Sequence, residues 1–260
     1  AGALDRHLNH LPDGDPRAVA IGGSVLDAYP GCDPAGRRAI LGLVPVILKR
    51  TGGTHADRCR VVVADGLKMP ALDARLDAVR LAMHPEIGLR AEVIPLLGAP
   101  EPELRGAGLF ALATADGPHG LTDEDLFRWL HDPDQGVRRV CHDVLVGRDR
   151  SDVEIGLGRR LAHPDPGERL KLLLDLRYDD DVADPEPWLQ RLARDPEPGV
   201  RAGAARVMVE LAGARKLPCP TWVGRVADAD AHPTVRAVAD HFRGLAPHAP
   251  AGVINAGGFR

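Results

Sequence analysis

The sequence predicts an all-α protein, an α-solenoid of about seven antiparallel helical hairpins, and three observations carry that expectation. First, a short pattern recurs: DPDQGVR at 132 to 138 returns as HPDPGER at 163 to 169 and DPEPGVR at 195 to 201. The same frame, a proline followed five residues later by an arginine, fits MPALDAR (69 to 75), HPEIGLR (84 to 90) and APEPELR (99 to 105). Second, the copies at Pro70, Pro100, Pro133, Pro164 and Pro196 are 30, 33, 31 and 32 residues apart, a stacked-helix period. Third, aromatics are 3% of the chain against 44% hydrophobic residues, so Leu, Val and Ala build the interior, which suits short, closely packed helices.

Each copy reads as a helix start. Asp132 and Asp195 are good N-caps for free helical amides, and the proline after each suits the first helical position. Asp134, Glu197 and Glu101 then complement the positive end of the helix dipole. With the pattern arginine as position zero, helical spacing buries positions −1, +3, +6 and +7, which after Pro133 are Val137, Cys141, Val144 and Leu145. Pro34 and Pro233 extend the series, which makes seven units. A partner helix fits in each interval, over 16–29, 54–66, 85–98, 122–131, 152–162, 186–194 and 221–229. Thr122 with Asp125, and Asp152, read as caps for two of these, and Pro45 and Pro95 are expected to kink apolar helices.

Over roughly residues 16 to 245 the chain resembles the HEAT-repeat superfamily, in particular short bacterial units of consensus D-P-x-x-x-V-R like those of phycobilin lyases; Asp132 to Arg138 and Asp195 to Arg201 match best. The resemblance implies a right-handed solenoid in one domain, 1–245, followed by an irregular Pro-, Gly- and Ala-rich tail, 246–260. It also implies that the motif arginine pairs with a motif aspartate of a neighbouring unit. Activity does not follow from such a fold, which serves interaction scaffolds, lyases, hydroxylases and DNA glycosylases alike.

Composition narrows the classes. The net charge of −4 gives no overall basic field for nucleic acid or anionic lipid. Cys32, Cys59, Cys141 and Cys219 form no CxxC pair and match neither a zinc site nor a disulfide framework, which reads as reduced thiols in a cytoplasmic protein. No targeting or membrane segment is visible; the apolar run at 40–48 is too short to span a bilayer. No cofactor motif appears. His84, His163 and His232 precede motif prolines, and equivalent positions roughly 8–10 Å apart leave such a column unable to share one metal ion. They read as turn residues in the aspartate slot, and no metal site is expected.

Candidate binding residues then lie at positions +1, +4 and +5 of the second helices, on the helix face expected to line a groove. They are Arg139, His142, Asp143, Arg206, Asp240 and His241, a mixed-sign row whose plainer reading is solvated surface. Trp188 and Trp222 read either as core packing or as exposed anchors for a partner. The acidic stretch 178–184 reads as a solvated loop. The expected function is a non-catalytic scaffold that binds a protein or peptide, with a HEAT-like DNA glycosylase for alkylated bases as the alternative and no catalytic residue assigned. No nucleic-acid or membrane partner is expected.

Overall fold

A computed structural model of the chain describes residues 2–114, 120–178, 182 and 184–245. Among these there are helices and no strand, and the chain divides into two compact units, Ala1–Arg150 and Ser151–Arg260, where the sequence suggests a single domain over 1–245. The expected 246–260 tail and most of the acidic stretch lie outside the described residues.

The first unit contains α1 (Gly2–Asn9), α2 (Pro16–Ala28), α3 (Pro34–Leu41), α4 (Val44–Thr51), α5 (Ala56–Gly66), α6 (Leu72–Ala82), α7 (Arg90–Val93), α8 (Pro102–Thr114), α9 (Asp123–Trp129) and α10 (Gln135–Gly147). Its core joins Leu8, Leu41, Ile47, Val63 and Leu104, all fully buried. Within it α6, α8 and α10 pack in succession, and α5 pairs with α6 and α9 with α10. The second unit contains α11 (Asp152–Leu161), α12 (Pro166–Tyr178), α13 (Glu186–Leu192), α14 (Pro198–Arg215), α15 (Thr221–Ala229) and α16 (Pro233–Leu245). There α11 pairs with α12, α13 with α14 and α15 with α16, while α12, α14 and α16 pack side by side. The aliphatic interior is as expected: Val137, Cys141, Val144 and Leu145 are all buried, and so are Leu172, Leu189, Val200 and Val223 in the second unit.

The repeated pattern differs from its sequence reading in one respect. The helices begin two residues after the motif proline, at Gln135 after Pro133, Pro166 after Pro164 and Pro198 after Pro196. The cap of α10 is therefore Asp134, which accepts the Val137 N–H at 3.0 Å, and Asp132 caps nothing. Asp132 instead closes a tight turn by accepting the Asp134 N–H at 2.8 Å, and Asp195 does the same for Glu197. Histidine substitutes in that turn at two of the three expected places: Nδ1 of His163 accepts the Asp165 N–H at 3.1 Å, and Nδ1 of His84 accepts the Glu86 N–H at 3.3 Å. His232 is not in the aspartate slot, which Asp230 fills by accepting the His232 N–H at 2.8 Å. Likewise Ser151, rather than Asp152, caps α11 in a capping box with Glu154, whereas Thr122 and Asp125 form the expected box on α9.

The motif arginine is a two-sided clamp. Nη1 of Arg169 donates to the His163 and Pro164 carbonyls of its own turn at 2.6 and 3.1 Å. Its Nε and Nη2 form a fork on Asp195 of the next hairpin at 2.7 and 2.9 Å. Arg105 repeats this on Asp132 and Arg201 on Asp230, and a single Arg75–Glu101 pair at 3.0 Å continues the series. Arg236 clamps the Asp230 and Ala231 carbonyls, so the last copy is DAHPTVR at 230 to 236, full length with alanine in place of the first proline. The paired planar forks are the strong form of this ion pair.

Both proline kinks are absent for a local reason. Pro45 sits in the first turn of α4, where a missing N–H costs nothing, and begins a new helix instead of bending α3. The expected helix over 85–98 is only α7 followed by a 3₁₀ turn, Ile94–Gly98, with Pro95 near its start. Gly88, at φ 59°, turns the chain just before α7 and shortens what can be helical.

Candidate functional site

Position +5 of the second helices is the most consistently exposed column. In the first unit it holds Phe110 on α8, 56% exposed, and Asp143 on α10, whose side chain is 67% exposed. In the second unit it holds Leu174 on α12, 57% exposed, Arg206 on α14 and His241 on α16, both also exposed. Position +4 is mixed, because Leu173 and Ala205 turn into the core while His142 and Asp240 do not. The six residues expected to form a polar row thus divide between the units, Arg139, His142 and Asp143 in the first and Arg206, Asp240 and His241 in the second. In the first unit, Arg139 Nε is 3.9 Å and His142 Nδ1 3.8 Å from the Asp143 carboxylate, distances of charge proximity rather than hydrogen bonding.

The second unit gathers a more definite surface. Leu170, Leu174 and Tyr178 follow one another at four-residue spacing along α12 and are 41%, 57% and 68% exposed. Leu170 abuts α14 at Gly203, within 3.9 Å of where a Cβ would stand. One turn further along α14, Arg206 donates to Glu210 at 2.9 Å and lies 5.6 Å over the Phe242 ring of α16. Arg177 approaches the other oxygen of Glu210 at 2.9 Å, without hydrogen-bond alignment, and lies 4.9 Å over the Tyr178 ring. Among the described residues two guanidiniums thus share one carboxylate, with an aromatic ring under each. The Glu210 hydrogen bond raises the Arg206 pKa further, so its charge persists at every ordinary pH. Asp240 is held by Arg243 at 2.5 Å, and His241 meets the Phe242 ring edge-on.

Trp188 and Trp222, weighed as partner anchors, are 9% and 5% exposed and pack into the second unit's interior, so neither is an exposed anchor. They lie on first helices whose apolar side faces the second helices, which is where a large ring finds most cover. Sequence reasoning missed Leu170, Leu174, Tyr178 and Phe110 because it searched the outer columns for polar residues only. The signal was there: an apolar residue in a column that its neighbours make polar.

Cys59 and Cys141 are buried thiols whose pKa values burial pushes up to about 11 and about 12, which suppresses the reactive thiolate. No helix of the described residues is long and apolar enough to cross a membrane. The chain matches no protein-family model, and no curated protein matches it significantly.

Proposed function

We propose that the chain is a HEAT-like, right-handed α-solenoid that acts as a non-catalytic scaffold, binding a protein or peptide on the outer face of α12, α14 and α16. The observation that carries this reading is the exposed stripe of Leu170, Leu174 and Tyr178, continuous through Gly203 with Arg206 and Phe242. Three large apolar side chains at helical spacing on a surface helix, beside an arginine over an aromatic ring, have the composition of an interface centre. Covering the stripe would contribute about 3 kcal/mol, whereas micromolar binding needs about 8 kcal/mol. The adjoining Arg177–Glu210–Arg206 cluster offers charged groups for further contacts.

A photo-crosslinking residue placed at 174, with a second chain carrying it at Arg215 as control, tests this in lysate of the source cells. We expect a discrete protein adduct from 174 that is absent from 215. Equal adducts from both positions, or none from a folded protein, would contradict the reading.

A further inference from the structure

The first helices of the second unit enclose a pocket of about 240 Å³ between α13 and α15, lined chiefly by Gln190, Arg194, Trp222, Arg225, Val226 and Asp230. Six arginines of this unit are committed to carboxylates: Arg169 to Asp195, Arg201 to Asp230, Arg177 and Arg206 to Glu210, Arg160 to Asp175, and Arg243 to Asp228 and Asp240. Arg194 and Arg225 differ. Both are exposed, both line the pocket, and among the described residues neither has an acidic partner. The one carboxylate in the lining, Asp230, is consumed by the Arg201 fork and the His232 N–H. The pocket consequently carries two uncompensated guanidiniums. Trp222 also lines it, a residue that is 5% exposed and whose buried indole N–H has no acceptor among the described residues. Val226, Ala193 and Ala229 supply the remaining apolar surface.

We infer that this pocket binds a small planar apolar group that carries a phosphate, as in an aryl phosphate ester. Two guanidinium forks match a dianionic oxygen cluster, and Trp222 suits a flat ring. A free ester and a phosphotyrosine side chain present the same chemistry. The site lies on the first helices and does not rest on the docking face proposed above.

The test is a titration of the full chain with phenyl phosphate, followed through the three tryptophan indole N–H signals. Trp222→Phe identifies its own signal; if that variant does not fold, Trp129→Phe and Trp188→Phe identify it by elimination. We expect a saturable displacement of the Trp222 signal, no response to neutral benzyl alcohol, and about tenfold weaker binding for Arg194→Gln or Arg225→Gln, each of which removes one charged hydrogen-bonding group. Because both arginines are exposed, these variants should melt with the parent. A phosphotyrosyl peptide that binds tighter than phenyl phosphate assigns the ligand to a protein, and one that binds no tighter assigns it to a free ester. A Trp222 signal that does not move at about 10 mM phenyl phosphate, or equal binding by the Arg194→Gln/Arg225→Gln double variant, would overturn the inference.

Discussion

At the scale of single residues, the aspartate and arginine of the repeated pattern act on each other across hairpins. The Arg169–Asp195 pair is well sheltered, with both side chains about nine-tenths buried. Removing one member of such a pair leaves the other charge without compensation, which costs more than the intact pair contributes. Asp195→Asn keeps an oxygen for the Glu197 N–H and removes only the charge. We predict a loss of about 3 kcal/mol in urea unfolding followed on the second unit, whereas the exposed Asp240→Asn should unfold like the parent.

The motif carboxylates Asp132 and Asp230 contribute to the response to acid. Burial pushes the Asp132 carboxyl upward, but the Arg105 fork, the Asp134 N–H and Arg138 overcome it and hold the group below its ordinary range. The Arg201 fork, against an opposing effect of burial, holds Asp230 low in the same way. A depressed folded-state pKa means that the folded protein gives up its charge less readily than the unfolded chain. The contribution is therefore complete above the unfolded value of about 3.9 and disappears as the pH falls through the lower folded value. Unfolding midpoints measured from pH 7 down to pH 3 should stay level and then fall below about pH 4, and Asp132→Asn should flatten that fall. Parallel profiles would remove Asp132 from the account.

At the scale of elements, α12 packs tightly against α14 at Gly203. A Cβ there would stand 2.5 Å from Cδ1 of Leu173, a side chain that is itself buried. The gain in helix propensity from Gly203→Ala, about 1 kcal/mol, is then outweighed by overpacking of about 1–3 kcal/mol. Gly213 in the same helix has open space around it, so Gly213→Ala should be neutral or stabilising. Opposite signs for the two substitutions in one denaturation series are the expected outcome; two stabilising changes would mean that α12 and α14 are not held this closely.

Helix existence was largely legible in the chain. Prolines, acidic first turns and 3.6-residue periodicity located every second helix from α3 to α16 to within two residues. The offset of two was not legible, because an aspartate before proline serves equally as a cap or as a turn and ion-pair residue, and only the arginine of the preceding hairpin decides between them. α1 went unassigned: its eight residues, Gly2–Asn9, bury only Leu8, too little apolar surface to stand out as a period. α4 was hidden by Pro45, which reads as an interruption until it is seen to begin a helix. The short α7 was over-read, since its apolar content resembles a helix while Gly88 and Pro95 restrict it from both ends. For the site, the exposure of Arg139, Asp143, Arg206 and His241 followed from spacing alone. The apolar members of the same face did not, because an exposed leucine and a buried one are identical in sequence until packing assigns the column.

At the scale of the molecule, the ladder is uneven in a way the sequence displays. Arg105, Arg169 and Arg201 are followed one hairpin later by Asp132, Asp195 and Asp230 at the first position of the pattern, Arg75 by Ala99 with Glu101 two residues on, and Arg138 by His163 with Asp165 two residues on. The described hydrogen bonds of the Arg138 guanidinium go to the Asp132 and Pro133 carbonyls of its own turn. Charge spent on pairing hairpins is not available for ligands, so the motif accounts for architecture and the outer face is left to account for binding. The most direct test of that separation is partner retention by the Leu174→Glu/Tyr178→Glu double variant, assayed at a temperature where it and the parent are both fully folded. The proposed scaffold predicts that the variant melts with the parent, since both side chains are exposed, and no longer retains the protein crosslinked from position 174. A variant that melts normally and retains that protein as well as the parent does would contradict it.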